Sequence, residues 1–153
     1  MRPSVLRFRP SATLPNRVYL DANVLINSRD PSSPRYQSAS RCLGDLLAQG
    51  AELNVSALVV DEVWWGLLKT SYRLLTGNEL TAREYKYNIE IWKAHWPTVR
   101  RITDELLGGL NVLEPAPSVE LIRDAMALID RNPLGPRDAF HLAIVLSRGI
   151  QGL

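Results

Sequence analysis

Three carboxylates in this 153-residue sequence hold places where an acid needs a reason to be. Asp21 ends the apolar run Val18-Tyr19-Leu20, which reads as a strand buried on both faces. Glu62 falls in the second turn of a helix expected after a second strand, and Asp138 in the first turn of the last helix, just after Pro136. A carboxylate closing a buried strand is tolerated when it is solvated, hydrogen-bonded or bound to a cation. An acid in a first helical turn is favoured by the helix dipole. Helix starts that follow parallel strands face one rim of the sheet, so acids far apart in sequence can meet there. Gathered carboxylates repel one another unless a cation lies among them, and an oxygen-only donor set favours Mg²⁺ or Mn²⁺ over zinc. Taken singly, each acid also has a plain reading as a solvated surface charge, Glu62 beside Asp61 especially.

The elements that must position these acids can be read from periodicity and punctuation. After the first strand a short helix covers Ala22 to Ser28, and Asp30-Pro31-Ser32-Ser33-Pro34 breaks it. A second helix runs from about Tyr36 to Gln49 with Gly50 as its cap. Leu53-Asn54-Val55 forms the second strand, and Ser56 stands where an N-cap belongs, ahead of a helix to about Leu75. Thr81-Ala82-Arg83-Glu84 matches a capping box, predicting a helix to Trp96, with Pro97 kinking it or opening the next helix to Leu107. Leu110 to Leu113 is the third strand; Ser118 caps a helix to about Asp130; the last helix spans Arg137 to Arg148. Strands alternating with helices predict an α/β fold with a parallel sheet. The division expected is an irregular arm over 1–16 and one domain over 17–153.

Composition narrows the class. The chain is 46% hydrophobic and 22% charged, enough for one core. A net charge of +2 does not announce a nucleic-acid binder, and fifteen arginines against three lysines equally reflect phosphate contacts or a GC-rich coding sequence. The single Cys42 excludes an intramolecular disulfide and a cysteine zinc cluster. No apolar window approaches the roughly 20 residues of a membrane span, and the expected location is cytoplasmic. The aromatic and basic residues of segment 83–100, among them Tyr85, Tyr87, Trp92, Trp96 and Lys93, suit either base stacking or a helix pair packing on itself, the second being favoured. Of Trp64 and Trp65 at least one is expected in the core, His141 at its edge, and Asp61 on the surface.

Three segments together resemble the PIN-domain family, in particular the VapC-like toxin ribonucleases of toxin–antitoxin pairs. They are Val18-Tyr19-Leu20-Asp21-Ala22-Asn23-Val24-Leu25-Ile26, then Ser56 through Asp61-Glu62-Val63, then Arg137-Asp138-Ala139-Phe140-His141-Leu142-Ala143-Ile144. Their order fits from about Arg17 to Leu153. The resemblance implies a three-layer α/β/α fold with a central, mostly parallel sheet. It also implies a divalent-metal-dependent endoribonuclease that hydrolyses RNA to a 5′-phosphate and a 3′-hydroxyl. Asp21, Glu62 and Asp138 would be the catalytic metal carboxylates, for Mg²⁺ or Mn²⁺, with Asn23 and Ser56 as polar support behind them. A cognate protein antitoxin and a homodimer are the partners implied, the helical hairpin around residues 81–107 being a place where the family makes such contacts.

The sequence departs from the family pattern in two places. A fourth acid expected after a further strand is not found before Leu153, so the last strand and its motif are expected to be missing. Ala22 replaces a hydroxyl residue common next to the first Asp. The alternative function is therefore a non-catalytic PIN-like module that binds RNA or protein. An aspartyl-phosphate phosphatase, which needs a second Asp two residues after the first, meets Asn23 there and ranks low.

Overall fold

The computed structural model describes residues 15–113 and 119–150. Most of the expected arm, the Ser118 cap and residues 151–153 lie outside the described residues. Ile150 is described and buried, and carries no strand assignment.

Among the described residues three parallel strands form one sheet in the order β1 (Arg17–Tyr19), β2 (Glu52–Ser56), β3 (Asn111–Leu113). Arg17, Val18 and Tyr19 stand opposite Glu52, Leu53 and Asn54, and the Leu20 N–H extends the pairing to the Asn54 carbonyl at 2.8 Å. Burial explains the apolar runs: Val18, Tyr19 and Leu20, like Leu53 through Ser56, are all buried. Asn54 lies fully buried in the middle strand. Its amide donates to the Glu52 carbonyl at 3.0 Å and across to Val18 at 3.4 Å.

Among the described residues there are seven helices: α1 (Ala22–Asn27), α2 (Tyr36–Ala48), α3 (Ala57–Thr76), α4 (Ala82–Tyr87), α5 (Ile89–Leu107), α6 (Val119–Arg131) and α7 (Pro136–Ser147). The fold is α/β, as expected. One apolar cluster joins the strands to residues of α1, α2, α3, α5 and α7, and a smaller one of Ala125, Ala139 and Ala143 joins α6 to α7. Gly66 lets α1 lie against α3; a Cβ there would come within 2.7 Å of Ile26 Cγ1, too close for packed atoms. Gly77, with φ 72°, ends α3 in the left-handed region that glycine adopts without strain.

The hairpin after α3 differs from the expectation in one respect. The capping box is present: Thr81 N–H donates to Glu84 Oε2 and Glu84 N–H to Thr81 Oγ1. The helix breaks at Asn88, however, and Pro97 lies inside an unbroken α5. Asn88 has φ −118° and ψ 90°, outside the helical region, and its side chain caps α5 by accepting from the Glu90 N–H. Pro97 removes one donor, and the carbonyl it would have bonded belongs to Lys93, an exposed residue.

Candidate active site

Asp21, Glu62 and Asp138 line one cleft of about 480 Å³, together with Asn23, Arg137 and His141. Each acid reaches it from the start of a different helix. Asp21 is the N-cap of α1, in extended conformation, with Oδ1 accepting the Asn23 N–H at 2.7 Å. The backbone of Asn23 thus supports Asp21, and its carbonyl accepts from the Asn27 amide. Asp21 has a local structural role of its own as a cap, which the sequence reading did not give it. Glu62 lies on the cleft face of α3. Asp138 is the third residue of α7, with its carboxyl folded back so that a Cβ on Gly135 would meet Oδ2 at 3.3 Å.

A buried polar chain stands behind Glu62. Ser56 heads α3 as its N-cap, yet its hydroxyl makes no capping bond; it bonds the Tyr19 hydroxyl at 2.6 Å. Tyr19 in turn bonds His141 Nδ1 at 2.8 Å, and His141 Nε2 lies 3.6 Å from Glu62 Oε2. With the ring neutral, a proton on Nε2 suits the carboxylate beside it. That leaves Nδ1 to accept from Tyr19, and Tyr19 to accept from Ser56. Burial pushes the Tyr19 phenol up to about 12; the Ser56 bond opposes the rise, and the charges of Glu62 and then Asp21 add to it. Tyr19 is therefore a neutral donor at any physiological pH. Ser56 is linked to Glu62 only through Tyr19 and His141.

The other oxygen of Glu62 is engaged by a cation. Arg137 donates to Glu62 Oε1 and to Asp61 Oδ2, both at 3.2 Å. Among the described residues no group of three or more His, Cys, Asp or Glu is drawn close enough to hold an ion. The acids share a cleft without forming a closed cage. The donor chemistry still suits a hard divalent ion, because Mg²⁺ takes one or two carboxylates and keeps several waters. At the far end of the cleft Asp30 ties the loop after α1 to α3. It accepts from Arg73 at 2.7 Å and from the Ser32 hydroxyl and N–H. Burial raises the Asp30 carboxyl, but the Ser32 and Arg73 bonds and the Arg73 charge outweigh it and hold the group below its ordinary range.

Tyr19, Arg137, His141 and Asp30 were thus under-read from sequence. The first three lie within the quoted motifs, but nothing in spacing shows that a strand tyrosine reaches a histidine 122 residues away. The surface reading of Asp61 agrees with its exposure, as does the packing of the hairpin on itself. Trp64 donates to Thr103 at 3.1 Å and packs edge-on to Trp96, while Trp92 contacts both Tyr85 and Trp96. Trp65 packs at a tilt against Tyr85, so both α3 tryptophans join the core's edge.

No helix among the described residues is long and apolar enough to cross a membrane. No curated protein matches the sequence closely enough to serve as a relative. The family profile described as PIN domain matches residues 18–152, nearly the whole chain and all three acid-bearing motifs. With α1 and α3, which directly follow parallel strands, meeting α7 at one acidic cleft, a nuclease-type fold is what the match identifies, and the chain belongs to the PIN domain family.

Proposed function

We propose that this chain is a divalent-metal-dependent endoribonuclease, with Asp21, Glu62 and Asp138 as its metal carboxylates. The observation that carries the reading is that these three acids, from three helix starts, line one cleft. Bound there, Mg²⁺ or Mn²⁺ would supply a water of lowered pKa and charge for the phosphoryl oxygens and leaving group. The protein's own part is positional. The Asn23 N–H and the α1 start fix Asp21, and the chain Ser56–Tyr19–His141 aims a ring nitrogen at Glu62. Arg137 and Lys69, both lining the cleft, offer positive charge to a polyanion.

The finer reading makes the chain the toxin of a toxin–antitoxin module, cytoplasmic, homodimeric and neutralised by a protein antitoxin. It rests on the resemblance of the three motifs to VapC-like sequences. The alternative, a module that binds RNA or protein without cutting, is favoured by one observation, the engagement of Glu62 and Asp61 by Arg137.

Cleavage of a labelled RNA panel with Mg²⁺ or Mn²⁺ tests the proposal. Expected is cutting that EDTA and Asp21→Asn each abolish. RNA binding without cutting at any metal concentration would give the case to the binding module.

A further inference from the structure

Arg137 occupies an odd place. It is the second residue of α7, where the helix dipole disfavours a cation, and its side chain is 59% exposed. A position costly to its own helix is offset by what the guanidinium meets across the cleft. One nitrogen bonds Glu62 and the other bonds Asp61, the fork spanning two carboxylates adjacent in sequence. Glu62 is three-quarters buried and faces the cleft, whereas Asp61 is exposed and lines the aromatic groove on the next face of α3.

From this geometry we infer that Arg137 is a tethered counter-ion that competes with a divalent cation for Glu62, with Asp61 as the anchor that keeps it beside the cleft once displaced. The inference rests on the proposed metal role of Glu62. A divalent ion taken up on Glu62 Oε1 meets the like charge of the guanidinium already there, so metal uptake favours opening of the Arg137–Glu62 bond. The Asp61 bond need not open with it. A guanidinium still held by Asp61 stays within a side chain's swing of the cleft, where it adds positive charge for a phosphate. Arg137 is on this account a positioning residue with two stations, and the ion decides between them.

Mn²⁺ binding to the full chain, followed by electron paramagnetic resonance without RNA, tests it. Arg137→Gln should tighten Mn²⁺ by about two- to fivefold, the scale of an exposed charge pair removed. Arg137→Lys separates competition from mere field: it keeps the charge but loses the fork, so it should tighten Mn²⁺ as well. Asp61→Asn should weaken Mn²⁺ several-fold in the native background, because Arg137 then rests on Glu62 alone, and by clearly less in the Arg137→Gln background. A Lys variant indistinguishable from the native chain, or an Asp61→Asn effect of equal size in both backgrounds, would overturn the inference. Glu62→Gln is the control for the underlying reading. If it leaves Mn²⁺ affinity unchanged, or if neither the native chain nor Arg137→Gln binds Mn²⁺, the metal role of Glu62 fails and the inference falls with it.

Discussion

Two hollows of similar size flank α3, one of about 480 Å³ and one of about 540 Å³, and they are held open by opposite means. The first is the acidic cleft, lined by Asp21, Glu62, Asp138, Asp30, Lys69, Arg73 and Arg137 and braced by ion pairs and hydrogen bonds. The second is lined by Trp64, Tyr85, Trp92 and Trp96, braced by ring-on-ring packing and one indole hydrogen bond. Charges aimed into one space work against the fold unless something offsets them, whereas aromatic area removed from water supports it. The same helix thus presents charge on one side and aromatic packing on the other. Asp61 and Glu62, adjacent in sequence, mark the boundary.

Substitutions on the two sides should therefore separate activity from stability. The largest effect is expected from Asp21→Asn, with cleavage falling by about 10³-fold, roughly 4 kcal/mol of barrier. Asparagine caps a helix as well as aspartate does, so the thermal midpoint should hold. A matching loss of stability would mean that the acid serves the fold alone. Trp96→Ala on the other side should do the reverse. Chemical denaturation should show a loss of about 3 kcal/mol, with cleavage per folded molecule little changed. A strong drop in activity at full stability would move the aromatic groove into the substrate's path.

Gly66→Ala tests the joint between the two sides. The new methyl presses on Ile26 and should cost about 2 kcal/mol by denaturation, and Ile26→Ala in the same chain should return part of it. Additive losses in the double variant would show that the two residues do not share the contact. The smallest effect belongs to the Asp30 latch. Because the folded carboxyl lies below its unfolded value, its contribution is present above about pH 4 and is lost as pH falls through the folded value. Asp30→Asn should cost about 1 kcal/mol at neutral pH and flatten the acid limb of the stability profile. An unchanged acid limb would show that other carboxylates set it.

The parts that sequence made legible are those governed by local rules. Buried runs at Val18–Leu20 and Leu53–Val55 became parallel strands, and Thr81 with Glu84 formed its box because both partners lie within one turn. The helices that directly follow β1 and β2 brought Asp21 and Glu62 to one cleft, whereas Asp138 reaches it on α7, which follows α6 and not a strand. What stayed hidden needed three-dimensional knowledge. Asn88 outranked Pro97 as the breaker because exposure made the proline harmless, and exposure cannot be counted from a helical pattern that is aromatic on several faces. Ser56 was placed correctly as a cap, but its hydroxyl went to Tyr19, a choice made by the neighbouring strand. Arg137 stood inside a quoted motif, yet its role depends on two acids 75 and 76 residues earlier.

Asn54 gives the sheet a means of error checking. A parallel pair only three residues long has little besides side chains to specify its alignment, and a slip of one residue would turn every β1 side chain to the opposite face. Apolar neighbours such as Val18 and Leu53 tolerate such a shift better than an amide does. The Asn54 amide meets the Val18 carbonyl only in the observed alignment; elsewhere it would keep its bond to the Glu52 carbonyl of its own strand and lose the one across to β1. The same alignment decides whether Asp21 emerges at the rim or is turned away from it. A polar residue in the driest part of the sheet thus works as a key for the first strand, and an Asn54→Val chain should fold more stably while admitting misaligned forms that cannot assemble the cleft.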